Sequence, residues 1–247
     1  MIPHQSFGVA ERIGRTFSLQ PIDGIFGMAW PKIASDNIEP PLQRILRKFG
    51  EPMFTVWMSR SADIALGGVG GVVTYGGFDS VHCSANISWV NLTAQTFWQF
   101  SIQGYSLGNV SSAVEQQAIS DTGTSWIGGP RKDIDRMLTA LNASFSSRFH
   151  VHTLDCSRRF DAPDLVFKID SQLYAIPSYE YILNARLEDD RCMVTLFVKD
   201  DFDDDVPRWT FGDTFIRTYC NVYDFGGSRI GFSKAKHNND VVHRKYS

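Results

Sequence analysis

The stretch Ala118-Ile119-Ser120-Asp121-Thr122-Gly123-Thr124-Ser125-Trp126 runs from an apolar approach into Asp-Thr-Gly-Thr-Ser. The approach reads as a buried strand, so Asp121 is expected on a tight turn at its end, with its carboxylate held in a groove. Gly123, two residues on, would let the backbone come close to a second loop. The hydroxyls of Thr122 and Thr124 can hydrogen-bond neighbouring backbone and fix the carboxylate plane. At average residue usage Asp-Thr-Gly arises by chance in about one chain in twenty of this length, and Asp-Thr-Gly-Thr-Ser in fewer than about one in a thousand. An Asx turn would account for Asp121 alone but not for its flanks. Two such loops facing each other would bring together two carboxylates that share one proton, because both cannot ionise at close range. Such a pair binds and activates a water for attack on a peptide carbonyl.

Outward from this loop, glycine-bounded runs rich in β-branched and aromatic residues recur. They are Phe54–Met58, Gly71–Tyr75, Ile87–Leu92, Phe100–Tyr105, Leu165–Ile169, Met193–Val198 and Val222–Asp224. Each predicts a strand, and their close succession predicts a mostly antiparallel, all-β protein. Only two segments carry the i, i+3, i+4, i+7 pattern of a helix: Pro41–Phe49, ending at Gly50, and Pro130–Leu141, ending at Asn142. Glu188–Arg191 and Lys199–Asp205 are too charged for a core and read as solvated loops; the glycine and final Glu of an EF-hand are missing from them. The polar tail His237–Ser247 is expected to fray.

With 247 residues, 43% apolar and 13% aromatic, the chain can bury a large core in one large or two modest domains. A net charge of −3 gives no basic footprint for nucleic acid. No run of about 18 apolar residues could cross a bilayer, and Met1–Phe7 carries no secretion signal. Four N-x-[ST] sequons, at Asn86, Asn91, Asn109 and Asn142, nevertheless lean toward a lumenal or secreted protein. The four cysteines, Cys83, Cys156, Cys192 and Cys220, lack zinc-site spacing and allow two disulfides in three connectivities. Serine-hydrolase elbows, H-E-x-x-H and phosphate-binding glycine loops are absent from the sequence, and Gly67–Gly71 breaks off before completing one. His150 and His152 alternate along one strand face and read as surface histidines.

Asp121-Thr122-Gly123-Thr124-Ser125 resembles the second catalytic loop of pepsin-like aspartic proteases, and the likeness extends along almost the whole chain. Ile22–Trp30 is similar to the family's D-G-I-L-G-L segment, and Tyr75-Gly76-Gly77-Phe78-Asp79 to the F-G-G-x-D that ends its first lobe. Thr96–Gln99 is similar to the Y-W-x that opens the second lobe, and Thr210–Tyr219 to the I-L-G-D-x-F segment near the C-terminus. The resemblance implies a bilobal acid-protease fold, with an incomplete N-terminal lobe over residues 1–85, a complete C-terminal lobe over 86–236, and a tail over 237–247. It implies that Ile25-Phe26-Gly27 and Thr210-Phe211-Gly212 cross behind two D-T-G loops. Only one such loop is present; the other, with its flap hairpin, should lie upstream of Gln5-Ser6-Phe7-Gly8.

By the same resemblance Asp121 is catalytic, Thr122 steadies the loop pair, Thr124 faces substrate, and Gly123 and Ser125 complete the loop. Ile119 and Phe97 would line the cleft, whereas Asp213 reads as a structural hydrogen-bonding group. Cys156 and Cys192 match a disulfide of the family's second lobe; Cys83 and Cys220, outside the usual pepsin disulfides, are then expected to pair with each other. The implied activity is endopeptidase cleavage of polypeptides at acidic pH, without metal or organic cofactor, by a protein that is a monomer when full length. The implied location is extracellular or in the lysosomal or endosomal lumen, with neither nucleic acid nor membrane as partner. A single carboxylate cannot serve as base while a second donates the proton, so the isolated chain is expected to be inactive. It would be a piece of an active enzyme, a pseudoprotease or peptide-binding glycoprotein, or a chain whose copies pair their Asp121 loops.

Overall fold

The computed structural model describes residues 2–15, 22–60, 69–200 and 206–237, so Asp201–Asp205 of the acidic loop, most of the tail and part of the Gly67–Gly71 stretch lie outside the described residues. Four sheets account for most of the rest. A five-stranded antiparallel sheet has the order Gly71–Tyr75, Met53–Met58, Tyr219–Asp224, Arg229–Lys234, Ser88–Asn91. It therefore draws strands from both sides of residue 85. A six-stranded sheet has the order Leu196–Val198, Ile127–Gly129, Trp209–Phe211, Gln116–Ser120, Trp98–Ile102, Ala94–Gln95. Its Trp209–Phe211 strand runs parallel to Gln116–Ser120, and Leu196–Val198 runs parallel to Ile127–Gly129. Two four-stranded antiparallel sheets complete the set, one built on Gln172–Ile176, Leu165–Ile169, Gly104–Leu107 and Val110–Ser112, the other on Ser144–Ser146, Val151–Asp155, Arg191–Val194 and Ile182–Leu183.

Alternation does what the pattern predicts: Trp98, Phe100 and Ile102 point one way into the core, and Leu165, Phe167 and Ile169 do the same from their own sheet. Phe167 meets Phe211 at 4.5 Å and Trp209 at 5.3 Å between ring centroids, while Phe100 meets Phe232 at 5.3 Å. These contacts join three of the sheets through rings that each contribute about 1.5–3 kcal/mol on burial.

Two of the expected strands are divided. Phe100–Tyr105 breaks at Gln103, because Gly104 takes φ 139° and a Cβ there would lie 2.1 Å from the Ser112 carbonyl oxygen. The chain thereby leaves the six-stranded sheet and enters the next one. Met193–Val198 breaks at Thr195, whose N–H and hydroxyl both donate to the Tyr181 carbonyl. The Pro130–Leu141 helix forms as Arg131–Ala140, burying Ile134, Met137, Leu138 and Leu141. Pro41–Phe49 yields only Pro41–Ile45 in α form, followed by a 3₁₀ turn at Leu46–Lys48. His150 does not share a strand face with His152: it sits in the turn before Val151–Asp155 at φ 55°, and His152 packs beside the Phe145 ring at 5.3 Å.

Candidate active site

Gln116–Ser120 is an inner strand, paired with Trp98–Ile102 on one side and Trp209–Phe211 on the other, and Asp121 follows it directly. The Asp121 N–H donates to the Phe211 carbonyl at 3.0 Å, which ends the strand and starts the turn. Within the turn the Gly123 N–H donates to Asp121 Oδ1 at 2.9 Å and the Thr124 hydroxyl to Oδ2 at 2.6 Å. Each carboxylate oxygen thus has one local donor, and charge-assisted bonds of this kind hold the group in a single orientation. Thr124 is turned to the carboxylate rather than to a ligand; Thr122 is exposed on the rim of the adjoining cavity.

Within this chain a close backbone approach to the Asp121 loop is made by Gly212. A Cβ on Gly123 would meet only Asp121 Oδ1, at 3.2 Å, whereas one on Gly212 would fall 1.9 Å from the Thr124 carbonyl oxygen and 2.5 Å from that of Trp126. The two loops are stitched there by Gly212 N–H to Trp126 O at 3.1 Å, Asp213 N–H to Thr124 O at 2.8 Å, and the Thr214 hydroxyl to Ser125 O at 3.2 Å. Thr210-Phe211-Gly212 therefore crosses behind the Asp121 loop. Ile25-Phe26-Gly27 has no such loop over it among the described residues: Ile25 is 85% exposed and Phe26 52%.

A cavity of about 350 Å³ opens in front of Asp121, walled by Ile119, Phe97, Met28, Phe54, Phe26 and Ile25. Ile119 is buried and Phe97 half-buried, both on this wall. The walls are apolar and the floor carries the carboxylate, an arrangement suited to holding an apolar side chain of a ligand beside a polar centre.

Ser120, Asn221 and Tyr223, which the sequence did not single out, are buried beside the loop, and Ser120 and Tyr223 also line the cavity. Asp213, read from the sequence as a structural group, is also partly buried there. Burial raises the Asp213 carboxyl to about 6; Arg217 opposes this, the Asp121 charge adds to it, and a Ser125 hydrogen bond lowers it. Asp213 Oδ1 is buried without a hydrogen-bond partner. An Asp directly after an apolar-apolar-Gly turn was the available signal.

The structure joins Cys83 to Cys220 and Cys156 to Cys192. Asn86, Asn91, Asn109 and Asn142 are all exposed. Among the described residues no group of three or more His, Cys, Asp or Glu could hold a metal ion, and no helix is long and apolar enough to cross a membrane.

The model of the eukaryotic aspartyl protease family matches residues 1–235. Aspartic protease 17 and Aspartic protease 1 of Caenorhabditis elegans are 41% and 39% identical over 238 residues, covering 96% of this chain and 60% of either relative. Chymosin of Callithrix jacchus is 30% identical over 238 residues, covering 94% of this chain and 59% of its own length. The chain thus spans about three fifths of the curated relatives it matches. Together with an Asp-Thr-Gly turn pinned from behind by an apolar-apolar-Gly crossing, the match means that this chain belongs to the eukaryotic aspartyl protease family.

Proposed function

We propose that this chain supplies one half of the catalytic apparatus of an aspartic endopeptidase acting on polypeptides at acidic pH. The observation that carries the reading is the Asp121 carboxylate, held by the Gly123 N–H and the Thr124 hydroxyl at the polar floor of an otherwise apolar cavity. A carboxylate so oriented is suited to share a proton with a second carboxylate and to polarise a water between them. Thr122, exposed on the rim, is available to a facing loop. Ile119 and Phe97 would receive an apolar substrate side chain, and the cavity needs neither metal nor organic cofactor for this chemistry.

Without a facing carboxylate the isolated chain does not cleave peptides; a peptide-binding role is the second reading, favoured by an apolar cavity that stays open beside Ile25 and Phe26. The exposed sequons at Asn86, Asn91, Asn109 and Asn142 accept glycans, and the protein works in the secretory or lysosomal lumen, as a monomer when it carries both carboxylates.

The deciding measurement is the mass of the protein in its source tissue, by immunoblot against the Arg131–Ala140 helix after glycan removal. A band well above 27.8 kDa, with acid-dependent cleavage of denatured protein at about pH 4 that Asp121→Asn abolishes, supports the endopeptidase reading. A band at 27.8 kDa with no such cleavage leaves peptide binding in its place.

A further inference from the structure

Beside Asp121 a polar cluster is buried where the core meets the cavity, which Ser120 and Tyr223 also line. Tyr219, Asn221 and Tyr223 alternate along one face of the Tyr219–Asp224 strand, and in this register Asn221 and Tyr223 meet Ser120, the residue before Asp121. All three side chains are buried: Ser120 at 6%, Asn221 at 0% and Tyr223 at 1% exposure.

Their proton order follows from the contacts. Asn221 Nδ2 donates to the Tyr219 carbonyl at 2.8 Å, which fixes the amide with Oδ1 toward Ser120. Oδ1 only accepts, so the single hydroxyl proton of Ser120 goes to it, at 2.7 Å. Ser120 Oγ is then left to accept, and the Tyr223 hydroxyl donates to it at 2.8 Å. The Tyr223 ring is itself clamped, stacked on Phe54 at 4.4 Å and edge-on to Trp98 at 5.0 Å.

Apolar side chains of matching shape would fill this space at little or no cost in stability, because a buried hydrogen bond is worth only about 1 kcal/mol net. What a fully satisfied chain adds is a unique geometry. This one ties the backbone one residue before Asp121, on the six-stranded sheet, to a strand of the five-stranded sheet. Reacting groups must be held within about 0.5 Å of their productive geometry.

We propose that Tyr223, Ser120 and Asn221 form a directed hydrogen-bond chain whose role is to position Asp121 against the five-stranded sheet. The three are positioning residues, and the proposal rests on the reading of Asp121 as a catalytic group.

The test uses the whole chain and needs no peptide cleavage, so it stands apart from the outcome for activity. Backbone amide hydrogen exchange and the amide proton resonance of Gly123 are followed by NMR in Tyr223→Phe and Ser120→Ala. The triple variant Ser120→Ala/Asn221→Leu/Tyr223→Phe restores an apolar core and controls for simple loss of stability. The Asp121 amide is expected to exchange about tenfold faster in both single variants, and the Gly123 resonance to move upfield as its bond to the carboxylate loosens. Phe167, in the Leu165–Ile169 strand of another sheet and outside the bonds of the chain, should keep its rate. The triple variant should unfold at the temperature of the unaltered chain and still show both local changes. Equal acceleration at Asp121 and Phe167, or an Asp121 amide and Gly123 resonance that do not move, would overturn the proposal by reducing the three residues to ordinary core.

Discussion

Gly212 and Thr124 are in backbone contact: a methyl group on the first would sit 1.9 Å from the carbonyl oxygen of the second. The backbone angles at Gly212, φ −93° and ψ −157°, are open to any residue, so the requirement for glycine is one of space and not of conformation. Gly212→Ala is therefore expected to force the two loops apart and to destabilise the fold by about 3 kcal/mol or more, as overpacking against backbone does. Gly123→Ala, which meets only a side-chain oxygen, should cost less than half as much. Urea unfolding of the two variants, compared with the unaltered chain, measures the difference.

Asp213 gives the stability a pH dependence of known sign. Its folded carboxyl is raised from the ordinary aspartate range to about 6, by burial first, with the Asp121 charge adding to the rise against Arg217. The folded state thus favours the protonated form. The stability this contributes is fully present below the unfolded value and is lost as pH rises through about 6. Asp213→Asn should leave stability at about pH 4 nearly unchanged and raise it by about 1–2 kcal/mol at about pH 7.5, after discounting for partial exposure. Denaturant midpoints at the two pH values test this; a loss of stability at about pH 7.5 instead would show that the fold favours the ionised form.

The disulfides should differ in worth. Cys83–Cys220 closes 137 residues and Cys156–Cys192 closes 36. Loop-closure entropy gives about 5 and about 4 kcal/mol respectively. Replacing Cys83 and Cys220 by Ala should lower the unfolding midpoint more than replacing Cys156 and Cys192, as read by thermal scans under identical conditions.

Glu180 is 2% exposed and accepts from both Arg60 and Arg217, whose side chains come from distant parts of the chain. Arg217 also donates to the Glu180 carbonyl at 3.1 Å. Removing the carboxylate leaves two half-buried guanidinium groups uncompensated, so Glu180→Ala should cost about 2–3 kcal/mol, less than a fully buried pair would. A loss under about 1 kcal/mol in equilibrium unfolding would mean that solvent already screens the pair.

Strands with clean alternation between turn residues were legible from local pattern, as Gly71–Tyr75 and Leu165–Ile169 show. Boundaries set by contacts far along the chain were not. Gly104 ends a strand because of Ser112, and Thr195 ends another because of Tyr181. Asp121 was visible because its motif is local, whereas Ile119 and Phe97 were picked out only through the family resemblance. The Ser120–Asn221–Tyr223 chain spans about a hundred residues and uses side-chain types that, one at a time, are unremarkable in a strand. Its members become a group only when two sheets are brought together.

The order of the five-stranded sheet bears on how the chain acquires its structure during synthesis. Tyr219–Asp224 and Arg229–Lys234 lie between Met53–Met58 on one side and Ser88–Asn91 on the other. Among the described residues the earlier strands have no neighbours of their own in that sheet, apart from the pairing of Met53–Met58 with Gly71–Tyr75, until the last strands leave the ribosome. Such high contact order slows closure, and it keeps apolar strand edges waiting through most of translation. A nascent chain halted before Tyr219 would then be a substrate for chaperones rather than a partly working protein.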